Sequence, residues 1–318
     1  MRVLVTGASG FIGRRVLDSV RRKGWTAVPT SRSGGTDIVA VDFHNPNSLN
    51  VLRNHGRVDA VIHCGGIAHR FGRVPDEEFE RINVDGTLNI ARFAAENGAS
   101  HFVHISSVLV YGTHGVGISE GDGCSPRDPY AVSKLRSEDA AIDVGTETGM
   151  AVTVLRPAPV IGEGCKGNFA RLIHSIDRGR FINIGDGTAK KSLIYVGDVA
   201  DICTNLIEAK VSGEPEVFNI TGGTITTGEI VRAIRRALRI RPSKFSVPAK
   251  PIEFLLSRSA KILPVGPVQA AIRSLETWLS DDMYSADKIA ETYGIEPKTP
   301  VREAIELTVS AYKNKVVD

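Results

Sequence analysis

Met1-Arg-Val-Leu-Val-Thr-Gly7-Ala-Ser-Gly10-Phe-Ile-Gly13 is the stretch whose reading decides the fold. Val3 to Val5 read as a buried parallel strand, and Gly7, Gly10 and Gly13 punctuate the turn into a helix. Ile12, Val16, Leu17 and Val20 then recur on one helical face. Arg21, Arg22 and Lys23 place positive charge at that helix's C-terminus, and Gly24 supplies a stop. Strand, glycine turn and capped helix together form a dinucleotide fingerprint. The glycines permit a tight turn and let backbone N–H groups approach a pyrophosphate at the helix N-terminus. Gly7, Ser9, Gly10, Phe11, Ile12 and Gly13 are therefore the expected cofactor cradle.

Outward from this turn, strands and helices alternate. Strands are predicted at 2–6, 26–30, 38–42, 58–64, 101–106 and 151–156, and helices at 11–22, 47–54, 76–97 and 129–148. The order implies an α/β, Rossmann-like, doubly wound parallel sheet with its ligand crevice at the strands' carboxyl ends. Pro29 fits badly in an interior second strand, because its missing N–H removes a ladder bond, so the strand is expected to end there. Beyond Arg156-Pro-Ala-Pro159 the alternation fades into Gly-rich segments such as Gly162-Glu-Gly-Cys-Lys-Gly167. Helical patterns return at 168–178, 198–209, 227–238, 251–262, 285–292 and 301–313, with short strands at 181–184, 192–196 and 217–220. The expected organisation is a dinucleotide-binding domain over 1–161, to which 192–221 returns. A smaller, mostly helical substrate lobe is expected over 162–191 and 222–318.

Composition agrees with an enzyme. A chain of 318 residues, 42 % hydrophobic, can bury a large core. A net charge of +3 gives a nucleic-acid partner no electrostatic support. No apolar run approaches the ~20 residues a membrane helix needs, and a first strand starting at residue 2 is expected to leave no room for a signal peptide. Cys64, Cys124, Cys165 and Cys203 show no metal-ligand spacing, so free thiols in a reducing cytoplasm are expected.

Chemistry enters at Tyr130-Ala-Val-Ser-Lys134. A phenol and an ammonium at i and i+4 share a helix face. The cation, acting together with a bound pyridinium, is expected to lower a phenol pKa that is otherwise near ~10. Ser107 lies upstream in His104-Ile-Ser-Ser-Val-Leu-Val-Tyr-Gly112. After the second strand the chain reads Thr30-Ser-Arg32-Ser-Gly-Gly35, with no carboxylate until Asp37, where an NAD site usually carries one. Arg32 can instead meet a 2′-phosphate through charge-assisted bonds. NADP(H) is therefore the expected cofactor, with NAD as the alternative.

These landmarks occur in order with Asn83-Val-Asp-Gly-Thr-Leu-Asn89, Arg156-Pro157 and Lys191-Ser-Leu-Ile-Tyr-Val-Gly-Asp-Val-Ala200. Together they resemble the extended short-chain dehydrogenase/reductase (NAD-dependent epimerase/dehydratase) family, which contains nucleotide-sugar epimerases and reductases. The resemblance implies that Tyr130 is the catalytic acid/base and that Lys134 tunes it and binds the nicotinamide ribose. It implies that Ser107, or less favourably Ser106, holds the reacting oxygen. It makes Asn83 a structural clamp and Asp42 the acceptor for the adenine amino group, and sets Phe43 and Pro157 against the cofactor. Val108 and Leu109 stand where the family's 4,6-dehydratases carry an Asp-Glu pair, which disfavours dehydration.

Gly164-Cys-Lys-Gly-Asn-Phe169, Lys191-Ser-Leu-Ile-Tyr195 and Phe218-Asn-Ile-Thr-Gly-Gly223 are most similar to bacterial UDP-4-keto-6-deoxy-N-acetylhexosamine 4-reductases of O-antigen and capsule synthesis. That likeness implies substrate contacts from Asn168 and Phe169, a diphosphate clamp from Lys191 and a second cation from Arg273. It also implies a cytoplasmic homodimer. A 4-epimerase with retained NAD is the alternative, and a non-catalytic dinucleotide sensor a further one. His63 is expected to pack beneath the cofactor, and Arg235, Arg236, Arg239 and Arg241 to form a solvated helix face.

Overall fold

The computed structural model describes residues 1–67, 75–112, 114–209, 211, 213–242, 246–250 and 275–317. The helix expected at 251–262 lies outside the described residues. Strand β1 (Arg2–Thr6) enters the glycine turn and helix α1 (Phe11–Arg22), as its sequence requires. It is followed by β2 (Thr26–Ser31), a short β3 (Val39–Ala40) and α2 (Asn50–Arg53). Next come β4 (Ala60–His63), α3 (Asp76–Phe79) and α4 (Gly86–Glu96). They lead to β5 (His101–Ile105), β6 (Gly115–Ile118), α5 (Pro129–Thr148) and β7 (Ala151–Pro157).

The second half adds β8 (Val160–Ile161), α6 (Asn168–Asp177), β9 (Asn183–Ile184), β10 (Lys190–Ser192), β11 (Ile194–Tyr195) and α7 (Val196–Glu208). It continues with β12 (Glu216–Ile220), β13 (Thr224–Thr226), α8 (Thr227–Leu238) and β14 (Ser246–Val247). The described chain closes with β15 (Asp282–Tyr284), α9 (Asp287–Tyr293) and α10 (Val301–Val317).

Seven strands form one sheet in the order β12-β7-β5-β4-β1-β2-β3, and all of its pairs are parallel. Both faces are covered, so its strands carry apolar side chains on either side. Val3 and Val5 meet α1 and α7 on one face. Leu4, Val61 and Phe102 meet α4 and α5 on the other. The strand order reverses between β1 and β4, which opens a crevice at their carboxyl ends.

Three expectations are corrected. Strand β2 does not end at Pro29, which pairs with Val5. The Thr30 carbonyl faces β1, where Ala8 N donates to it at 2.9 Å, so the nitrogen of Pro29 faces the other side. There β3 begins its register only at Thr30, and no ladder bond is lost. The helix expected over 76–97 is interrupted by a π-helical segment, Glu80–Asp85, which carries Asn83. The third strand is shorter than 38–42, and Asp42 lies just past it.

A third core joins α6, α8 and α10. The helices there are accompanied by a four-stranded sheet, β13-β10-β15-β6, to which β6 comes from the first half of the chain. Strands β6, β8, β13, β14 and β15 were not expected; each has four residues or fewer, too short for a period-two pattern to register.

Candidate active site

The crevice begins at the glycine turn. Gly7 has φ +63°, and a Cβ on it would sit 2.7 Å from the Cys64 carbonyl oxygen at the end of β4. A Cβ on Gly13 would meet the Gly7 oxygen at 2.1 Å, so α1 can press onto the turn only without side chains there. Gly10 caps α1 with no side-chain bond, and the first turn has no acid. The helix's leading N–H groups and dipole are thus offered to an anion. Ser9 and Gly10 are exposed, while Phe11 and Ile12 are half-buried.

At the end of β2 the Thr30 hydroxyl is buried without a partner among the described residues, and Arg32 follows, exposed. Asp42, also exposed, accepts from His44 N at 3.3 Å, beside the buried ring of Phe43. Pro157 closes β7. All of the expected cofactor residues therefore lie at the carboxyl edge of the large sheet or in its glycine turn. This edge suits a dinucleotide: a side-chain-free cradle, a bare helix start and an unpartnered buried hydroxyl.

Helix α5 starts where Asp128 caps it, its Oδ1 accepting from Ala131 N at 2.9 Å, with Pro129 in the first turn. This start sets Tyr130 against the end of β5. Ser107 caps the short 3-10 helix Val108–Tyr111, and its hydroxyl also lies in hydrogen-bonding reach of the Tyr130 phenol. Phe79 meets the Tyr130 ring edge-on at 6.2 Å. Lys134 is 6 % exposed, and its Nζ lies 3.3 Å from His104 Nε2.

The Tyr130 phenol is pushed up to about 12, by burial first and then by the Asp128 carboxylate, while Ser107 acts in the opposite sense. The lowering expected from Lys134 together with a bound pyridinium is not produced by Lys134 alone. Burial dominates, and the Lys134 ammonium, pushed down to about 8 by desolvation, is turned to His104.

Beneath these groups lies a neutral polar layer. Gly65 N donates to Thr6 Oγ1 at 3.1 Å, and the Thr6 hydroxyl lies 2.7 Å from His63 Nδ1. Thr87 donates to the Asn83 carbonyl at 2.6 Å, so the His63 proton belongs on Nε2, 3.1 Å from Thr87 Oγ1. Burial pushes His63 down to about 3, and its ring stacks on His104 at 5.4 Å. Asn83 accepts from Ile67 N at 2.8 Å and donates to Ser133 Oγ at 2.9 Å, tying the loop after β4 to the first turns of α5.

Sequence reasoning missed a buried chain of polar groups behind Lys134. Glu138 is 1 % exposed and Arg156 6 %. Arg156 Nη2 donates to Glu138 Oε2 at 2.6 Å and its Nε to Oε1 at 3.1 Å. Ser106 donates to the same carboxylate, so the hydroxyl beside Ser107 is already engaged. Arg156 Nη1 donates to the Tyr111 hydroxyl at 3.0 Å, which donates to Asn219 Oδ1 at 2.8 Å. The one available signal was Glu138 at i+4 from Lys134.

The expected substrate residues are scattered. Asn168 is the exposed first residue of α6, where its side chain accepts from Arg171. Phe169 packs against the third core. Lys191 is corrected: its ammonium donates to Ser280 O and Asp282 Oδ2 at 2.6 Å each, and to Thr277 O. All three donors are taken by the protein. Arg273 lies outside the described residues. A cavity of about 450 Å³ lies between β9, α8 and Trp278. Arg232, Arg235 and Arg236 line it, so the helix face expected to be merely solvated borders a cavity. None of its lining residues belongs to the glycine turn or to the Ser107–Tyr130–Lys134 group.

The sequence profile of the NAD dependent epimerase/dehydratase family matches residues 3–221. A UDP-glucose 4-epimerase of Vibrio cholerae is 28 % identical over 74 % of this chain and 75 % of its own. A GDP-6-deoxy-D-mannose reductase of Pseudomonas aeruginosa is 32 % identical over 70 % of this chain and 75 % of its own. The solved structure of RMD from Pseudomonas aeruginosa complexed with NADPH covers 98 % of this chain and 99 % of its own, at 24 % identity and a TM-score of 0.73. The chain belongs to the NAD dependent epimerase/dehydratase family.

Proposed function

We propose that this member of the family reduces the C4 carbonyl of a UDP-linked 4-keto-6-deoxy-hexosamine at the expense of NADPH. The observation that carries the reading is the meeting of Ser107 and Tyr130 beside buried Lys134, on the same sheet edge as the glycine cradle. Gly7, Gly10 and Gly13 with the start of α1 would hold the pyrophosphate, and Arg32 the 2′-phosphate. Bound there, the dinucleotide would supply the hydride. Tyr130 then donates its proton to the carbonyl oxygen as negative charge develops on it, and Ser107 holds that oxygen in line. A phenol kept protonated by burial and Asp128 supports donation over abstraction at neutral pH.

Val108 and Leu109, in place of a carboxylate pair, support reduction over 4,6-dehydration. The cavity beside β9 and α8 is a candidate seat for the remote part of the substrate, whose binding orients the reacting carbon. The 28 % identity to a UDP-glucose 4-epimerase supports a second reading, 4-epimerisation with retained NAD. The relative named for a GDP sugar makes the base a variable of the assay.

Mass spectrometry of nucleotide released from fresh protein, with NADPH consumption against UDP- and GDP-linked 4-keto sugars, tests the proposal. Consumption of NADPH and loss of the ketone from the UDP sugar is the expected result. Stoichiometric bound NAD with no net redox change would replace it by the epimerase reading.

A further inference from the structure

The polar chain behind Lys134 has no part in the chemistry so far assigned, yet it touches both the helix bearing Tyr130 and Lys134 and the strand end bearing Ser107. Glu138 lies one turn beyond Lys134 on α5 and two beyond Tyr130. Ser106, bonded to it, adjoins Ser107, and Ser106 N donates to Leu155 O on β7 at 2.7 Å. Arg156 closes the carboxylate from the side of β7 through three contacts of 2.6 to 3.2 Å. It also stands 5.0 Å from the centre of the Tyr111 ring, in the 3-10 helix that Ser107 caps.

We propose that Glu138, clamped by Arg156, is a positioning residue for the catalytic centre: it fixes the Ser107 strand end against the helix bearing Tyr130 and supplies the counter-charge to Lys134. The proposal deepens the reductase reading and rests on Tyr130 acting there as proton donor.

The surroundings of Lys134 leave this task to Glu138. From β5 it meets His104, its charge reaches His63 at the end of β4 and Cys64 just after it, and on its own helix Glu138 stands one turn on. Burial holds both histidines neutral and pushes the Cys64 thiol up to about 12. Glu138 is thus the carboxylate, among the described residues, that acts on Lys134 to keep its proton. Arg156 keeps the carboxylate itself in place. Without it, a buried acid would face apolar surroundings and swing or take up a proton.

The test is Glu138→Gln in the full chain, read first by NMR of ¹³Cε-labelled lysine, with Lys134→Met assigning the resonance. Wild-type Lys134 should titrate near 8, and the variant at a clearly lower pH. Each unit of such movement lowers the protonated fraction above the midpoint about tenfold. In turnover, kcat should fall more at about pH 8.5 than at about pH 6.5, while the Kd for NADPH changes by no more than about twofold, a split that a general loss of structure does not give. Glu138→Asp should restore part of the midpoint.

Should Glu138→Gln fail to fold, Glu138→Gln with Arg156→Met removes both charges and should show the same lowered midpoint. An unmoved Lys134 midpoint in a folded variant would overturn the proposal. Wild-type protein that leaves the keto sugar untouched would instead overturn the reductase reading, and the lysine titration distinguishes the two failures.

Discussion

Two lysines among the described residues are withdrawn from solvent, Lys134 fully and Lys191 by half, and they are held differently. Lys191, in the small four-stranded sheet, has an oxygen for each of its three donors, one of them a carboxylate at 2.6 Å. Lys134, at the edge of the large sheet, has a neutral imidazole nitrogen at 3.3 Å and is pushed down to about 8. A lysine with every donor matched holds strands together. A lysine left under-matched is available to another ligand, and burial keeps its ionisation sensitive to neighbours. The contrast separates architecture from chemistry without appeal to position in the chain.

The sharpest way to break the comparison is to remove each ammonium in turn. Lys134→Met should lower turnover about 10³-fold, with urea unfolding as stable as the wild type or more so, because a desolvated charge has gone. Equal activity in that variant would put Lys134 with Lys191. Lys191→Met should do the opposite, costing about 2 kcal/mol in urea unfolding, because Asp282 keeps only His114 among the described residues and the Thr277 and Ser280 carbonyls lose this donor. Turnover per folded molecule should fall far less than with Lys134→Met. A large loss of activity without loss of stability would return Lys191 to the substrate clamp.

The two lysines also mark how much could be read in advance. The strand–turn–helix at residues 2–22 and helix α5 were legible because their signals are local: glycine spacing, a 3.6-residue apolar stripe, an Asp-Pro start. Tyr130, Lys134 and Ser107 followed from the same local patterns and the family's motifs. The role of Lys191 was not legible, because its carboxylate lies 91 residues away in a three-residue strand. Glu138 meets Arg156 across 18 residues, and Tyr111 meets Asn219 across 108. No periodicity records such pairs. Pro29 was misread because its cost depends on where the neighbouring strand begins, which is a property of the sheet.

Acid sharpens the comparison from the side of the neutral layer. His63, His101 and His104 are all held below their ordinary range by burial. For a base lowered in the folded state, the unfolded chain binds more protons, so stability is present above about pH 6.5 and lost as pH falls. At about pH 6 the three rings together should cost roughly 2 kcal/mol, a loss that grows on further acidification. Thermal unfolding across that range measures it, and a flat profile would mean that these three rings are not held neutral. The smallest effect belongs to the exposed cation at the far end of the edge. Arg32→Ala should reduce the preference for NADPH over NADH about tenfold, in paired Kd measurements. An unchanged ratio would remove Arg32 from the site.

Tyr130→Phe with NADPH and a UDP-4-keto-6-deoxy-N-acetylhexosamine tests the proposed chemistry most directly. The wild type should oxidise one NADPH for each ketone lost. The variant should bind NADPH as before and turn over about 10³-fold more slowly. Undiminished turnover by the phenylalanine variant would contradict the assignment of the proton donor, and with it the reading of this edge as the site of carbonyl reduction.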